Sequence, residues 1–203
     1  MIVTKKIMND LWFTGLVWMD YRLAVLFTVI LPLILLAWVF VEKAEAMQRL
    51  LIIYWRVASL LLITIYLMMG GHGIAFISGL AGRILIPISL WFWVDLNDEI
   101  EYQPNSPLKL IFSSWRWAIT LYCVLGAIAT LPFLNCVSPA NFKTDFCQVW
   151  LQAPSIFKEY FHHDNDVSGL GNFGIVGLTM YIAYFCYFAF VKLNKRGRSA
   201  IKQ

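Results

Sequence analysis

Two arginines, Arg56 and Arg83, stand inside long apolar runs in which no carboxylate occurs. These runs, Leu51–Met69 and Ile74–Val94, are separated only by Gly70-Gly71-His72-Gly73, and a group of acids, Asp95, Asp98, Glu99 and Glu101, follows them. A cation at the centre of a membrane helix costs roughly 2.5–3.5 kcal/mol, so Arg83 requires a partner. Within the chain the candidates are carbonyls freed at glycine or proline and the hydroxyls of Thr28, Thr64, Tyr122 and Tyr184. Outside it they are a lipid phosphate, an anionic substrate or a carboxylate of another subunit. Arg56 lies about one turn inside its run, close enough for its guanidinium to snorkel to the interface. Gly79 and Gly82, with Ala75 and Ser78 a turn earlier, form small faces that another helix can approach closely. Arg83, Arg56, Gly79 and Gly82 are therefore the candidate contacts for a partner or an anion.

Other chemistry is sparse. The candidate ligands for a metal or a pigment such as chlorophyll are His72, His162 and His163; His72, at the glycine break, could ligate from a boundary position, although such a residue more commonly caps a turn. The run His162-His163-Asp164 with Asp166 offers ligand types without a spacing that fixes a third ligand, and reads as a solvated loop. No Gly-x-Ser-x-Gly, His-Glu-x-x-His or phosphate-binding glycine loop occurs. The spans contain no histidines to face one another across a haem. The acids from Asp95 to Glu101 read as a solvated helix end. No catalytic residue, metal or resident cofactor is expected, and the chain reads as a protein that is not an enzyme.

The elements that position these residues are membrane helices. Of 203 residues, 60% are hydrophobic and 14% charged, against the roughly 25% charged of soluble domains. The apolar residues form unbroken runs near the length that crosses a hydrocarbon core about 30 Å thick. The expected fold is all-α: one membrane domain of about five spans, near 23–41, 51–69, 74–94, 117–134 and 173–191. Residues 1–22, which carry Asp10, Asp20 and Arg22 among tryptophans, suit an N-terminal interfacial helix rather than a span or a cleavable signal peptide. Pro32 falls at the centre of the first span and is expected to bend it. Segment 74–94 contains Gly79, Gly82 and Pro87, which leaves a re-entrant hairpin as the alternative to a full crossing; its length favours the crossing.

Net charge is +4, and its distribution points to topology rather than nucleic acid. Lys192, Lys195, Arg196, Arg198 and Lys202 crowd the C-terminal end without an acid among them, which places that end on the cytoplasmic side. The polar segment 135–172 is then non-cytoplasmic, where Cys136 and Cys147 can form a disulfide. Cys123 and Cys186 fall within spans and read as inert buried thiols.

The stretches from Ala44 to Arg56 and from Ile84 to Leu96, and the ending from Phe190 to Ala200, resemble an uncharacterised family of cyanobacterial integral membrane proteins. That resemblance covers nearly the whole chain from Asp10 onward. It implies a photosynthetic host and a thylakoid or plasma membrane, and it brings no activity or site residues with it. With the aromatic belts and small helix faces, the expected role is an accessory or assembly subunit of a thylakoid complex, photosynthetic or respiratory. Its partners would be membrane lipids and a larger membrane complex, with no nucleic acid. The alternative is a small anion transporter or channel using Arg83 at the broken hairpin.

Overall fold

The structure, a computed structural model, describes residues 13–193. Five of the helices among them are long and apolar enough to cross a membrane. In chain order the helices are α1 (Thr14–Glu42), α2 (Glu45–Met69), α3 (Ile74–Trp91), α4 (Val94–Tyr102), α5 (Pro107–Thr130), the short α6 (Pro139–Phe142) and α7 (Asp145–Gln148), α8 (Gln152–Phe161) and α9 (Val167–Tyr187). A 3-10 stretch, Leu131–Val137, extends α5, and a π-helical stretch, Phe188–Leu193, extends α9. The spans are α1, α2, α3, α5 and α9 with these extensions. Helix α3 is continuous through Gly79, Gly82 and Pro87, so segment 74–91 is a full-length helix rather than a re-entrant hairpin.

Several boundaries differ from the sequence expectation; α9, for one, begins at Val167, six residues before the expected span. Residues 14–22 do not form a separate interfacial helix; they are the first turns of α1. The part of that expected helix before Phe13, and the tail residues Lys195, Arg196, Arg198 and Lys202, lie outside the described residues. Helix α2 begins at Glu45, which puts Arg56 near the midpoint of a 25-residue helix rather than near its end. Helix α5 begins at Pro107, ten residues before the expected span, because Ser106 caps it by accepting from the Lys109 N–H at 3.2 Å and Pro107 suits the first helical position.

The connections are short where the chain reverses. Lys43 adopts a left-handed φ of 54° and closes α1, and α2 starts two residues later. Gly71, at φ 71°, does the same between α2 and α3. Helix α2 is central: α3 and α9 pack on it, α5 packs on α3, and α1 lies against α2 and α5. Two buried clusters result. One, around Val39, Met47, Tyr54, Leu90, Phe112 and Ile119, fills the end at which α1 hands over to α2. The other, around Phe13, Leu67, Phe76, Cys136, Cys147 and Trp150, fills the opposite end.

Within α1 the residues Val25–Ile30 are π-helical. Pro32 has no N–H to offer the carbonyls of Thr28 and Phe27, four and five residues before it. Both are satisfied from elsewhere: the Tyr54 hydroxyl donates to Thr28 at 2.7 Å, and the Trp115 indole donates to Phe27 at 3.0 Å. A buried carbonyl in a membrane bundle needs such a donor.

Candidate functional site

Arg83 has a carboxylate partner inside the chain. Its Nη2 donates to Oδ2 of Asp20, forming an ion pair between α3 and α1 with side chains only 11% and 18% exposed. Asp20 was expected at the membrane interface, where it could not serve this purpose; the continuous helix α1 carries it into the bundle instead. The second oxygen of Asp20 accepts from the Tyr122 hydroxyl of α5 at 3.0 Å, and that hydroxyl also lies 3.2 Å from the Asp20 carbonyl. The Arg83 guanidinium carbon is 5.7 Å from the centre of the Tyr122 ring. Gly126, one turn beyond Tyr122, has no side chain where the guanidinium passes; a Cβ there would collide with Nη1. Three helices and one glycine thus hold a charge pair of zero net charge.

The pair faces a cavity of about 340 Å³ between α1, α2, α3 and α5, closed on one side by Trp150 of the long loop. The loop is docked there by two bonds to α1: the Trp18 indole donates to the Gln152 side chain at 2.9 Å, and the Tyr21 hydroxyl donates to the Trp150 carbonyl at 2.7 Å. The disulfide Cys136–Cys147, with Cα atoms 5.7 Å apart, ties the loop's first half together, as its spacing allowed. Cys123 is buried, whereas Cys186 is exposed on the outer face of α9, contrary to expectation.

The other sequence candidates scatter. Gly79 and Gly82 do present a close-contact face, and the helix on it is the chain's own α2: a Cβ at 82 would lie 2.7 Å from Leu61 Cδ2, and one at 79 would lie 3.3 Å from Thr64 Cγ2. Arg56 is exposed and donates to the Tyr184 hydroxyl at 3.4 Å, beside a groove of about 190 Å³ between α2, α3 and α9. His72 lies at the crossing of α2 and α9, where its ring fills the space beside Gly70 and Gly171. His162 bonds the Tyr66 hydroxyl at 3.0 Å instead of standing in a solvated loop, while His163 is exposed. Among the described residues no three His, Cys, Asp or Glu side chains form a group that could hold a metal ion.

One buried charge lay just beyond the expected spans. Arg116, 5% exposed in α5, donates to the Leu90 carbonyl at 3.2 Å and to the Asn97 side chain, with its guanidinium carbon 4.1 Å above the Trp91 ring. Leu90 and Trp91 end α3, where carbonyls lack intrahelical donors, and Asn97 donates to Trp91 at 3.3 Å. Arg116 and Asn97 therefore cap the C-terminal end of α3, the end that favours a cation.

Helices of this length and apolarity, packed around a buried ion pair, define an all-α integral membrane protein. The chain belongs to the family described as "Protein of unknown function (DUF3177)", whose sequence profile matches residues 14–201. Neither a curated protein nor a solved structure gives a significant match.

Proposed function

We propose that this protein is an accessory or assembly subunit of a larger thylakoid complex, photosynthetic or respiratory, and that it acts by helix packing. The observation that carries the reading is the position of α9. Only 6% of its most apolar window is buried, against 44% for α3, and it packs chiefly on α2. Its outer face presents Phe173, Val176, Met180 and Phe190, each more than half exposed. A helix so lightly held is suited to a neighbouring subunit, which would bury the rest of its surface. The thylakoid setting rests on the family resemblance, with the disulfide end in the oxidising compartment and the basic C-terminal end in the cytoplasm.

The alternative of an anion pathway through Arg83 gains no support, because Asp20 already neutralises that charge. Purification of a tagged chain in mild detergent tests the main reading. Stoichiometric photosynthetic or respiratory subunits should accompany it and should be lost when Phe173 and Met180 are replaced by polar residues. A clean monomer from native membranes would overturn it.

A further inference from the structure

The cavity between α1, α2, α3 and α5 has an unusual division of labour among its walls. Six hydroxyl-bearing residues line it, and every one already donates: Tyr21 to Trp150, Thr28 to Ala24, Ser59 to Arg56, Thr64 to Leu60, Thr130 to Gly126, and Tyr122 to Asp20. The indole N–H groups of Trp55 and Trp150 have no hydrogen-bond partner among the described residues, but both nitrogens are enclosed by protein and not open to the cavity. With the hydroxyl protons engaged, the donors left open to the cavity are concentrated at the guanidinium of Arg83, whose several N–H groups are only partly used by Asp20, while the Asp20 carboxylate keeps acceptor capacity beside it. Most of the rest of the wall is carbon. Each buried water needs two to four polar partners, which this wall offers chiefly beside the ion pair.

On one side the lining residues are also exposed on the outside of the bundle: Val25 (52%) and Val29 (40%) of α1, and Leu62 (51%) with the exposed Ser59 of α2. These residues lie where the outer surface faces acyl chains. The volume falls within the range of small-molecule sites.

We infer that this cavity binds a neutral amphiphile taken laterally from the bilayer, its carbonyl or hydroxyl oxygen accepting from Arg83 and its apolar body lying against Ala58, Leu62 and Val29. The head is neutral because Asp20 and Arg83 sum to zero charge, and it accepts because the donors left open there are the N–H groups of Arg83. The body is apolar because the wall away from the ion pair is mostly carbon. This inference stands whether or not the protein is a subunit of a larger complex.

Photolabelling the full chain in lipid nanodiscs with a diazirine derivative of hexadecanol tests it. Label should map by peptide mass spectrometry to the cavity-lining residues of α1 and α2, and excess unlabelled hexadecanol should suppress it. Ala58→Phe, which fills the cavity, should reduce labelling about tenfold, the equivalent of 1.4 kcal/mol in affinity. Ser59→Trp, placed at the exposed mouth where folding is little affected, should reduce it similarly. Label spread over the outer faces of the spans, indifferent to competitor and to both substitutions, would overturn the inference. So would stronger competition by ionised palmitate than by hexadecanol, which would show that the head is an anion.

Discussion

Gly126 of α5 leaves open the space that the Arg83 guanidinium of α3 occupies; a Cβ at that position would overlap Nη1. The pair Asp20–Arg83 therefore depends on a residue that touches neither charge by hydrogen bonding. Tyr122, one turn earlier, fixes the carboxylate while Gly126 admits the guanidinium. Each of these requirements can be removed separately.

Asp20→Asn should lower stability by about 3–5 kcal/mol, because it leaves Arg83 buried without a counter-charge. Gly126→Val should act in the same direction by displacing the guanidinium. The double variant Asp20→Leu with Arg83→Met should recover most of the loss, since replacing both charges by apolar groups is often neutral. Thermal unfolding in detergent measures all three. Equal damage from the single and double variants would show that the pair does not act as a unit.

Tyr54→Phe should cost about 1–3 kcal/mol by leaving the Thr28 carbonyl without its side-chain donor. Pro32→Ala restores an N–H four residues after that carbonyl, so the same Tyr54→Phe change should cost much less in the Pro32→Ala background. The non-additivity is the diagnostic quantity. An identical cost in both backgrounds would separate the tyrosine from the proline.

The helical spans were readable from the sequence because each is a long apolar run, and the disulfide because Cys136 and Cys147 share one polar segment. The partner of Arg83 was not. Asp20 stands near Arg22 and among tryptophans, a local composition that resembles an interface, and its distance of 63 positions from Arg83 carries no local signal. One cue existed: an arginine inside a span demands a counter-charge, and Asp20 is the carboxylate that joins the first apolar run if that helix is extended by a single turn. Tyr122 was among the candidate partners, and the structure places it on the carboxylate instead. Arg116 carries no local signal for a similar reason. It borders an apolar run that begins at Trp117, so only the tertiary approach of α3 reveals it as the cap of that helix.

Reduction of the Cys136–Cys147 disulfide should destabilise the protein by about 3 kcal/mol, the loop-closure term for a separation of 11 residues. Unfolding with and without dithiothreitol measures it. Cys136→Ser should abolish the sensitivity to reductant, whereas Cys123→Ser and Cys186→Ser should leave it in place. A melting temperature indifferent to reductant in the unsubstituted chain would refute a stabilising bond.

The crossing of α2 and α9 is set by backbone contact, and this gives the sharpest test of how α9 is held. A Cβ at Gly171 would lie 2.8 Å from Gly70 Cα, and one at Gly174 would lie 2.9 Å from the Leu67 nitrogen. Neither obstacle is a flexible side chain that can swing aside, so Gly171→Ala should cost about 1–3 kcal/mol as an overpacked contact. A larger residue should lift α9 from α2. Gly169 is the matched control, since nothing lies within 4 Å of a Cβ there. A Cβ at Gly177 would lie 3.4 Å from Ile63 Cγ1, so cysteines at 63 and 177, in a chain with Cys186→Ser, should cross-link under mild oxidation. Gly171→Leu should abolish that cross-link and Gly169→Leu should preserve it. If both preserve it, α9 is held by its side chains or by its neighbours in the membrane, and the glycine crossing is not what positions it.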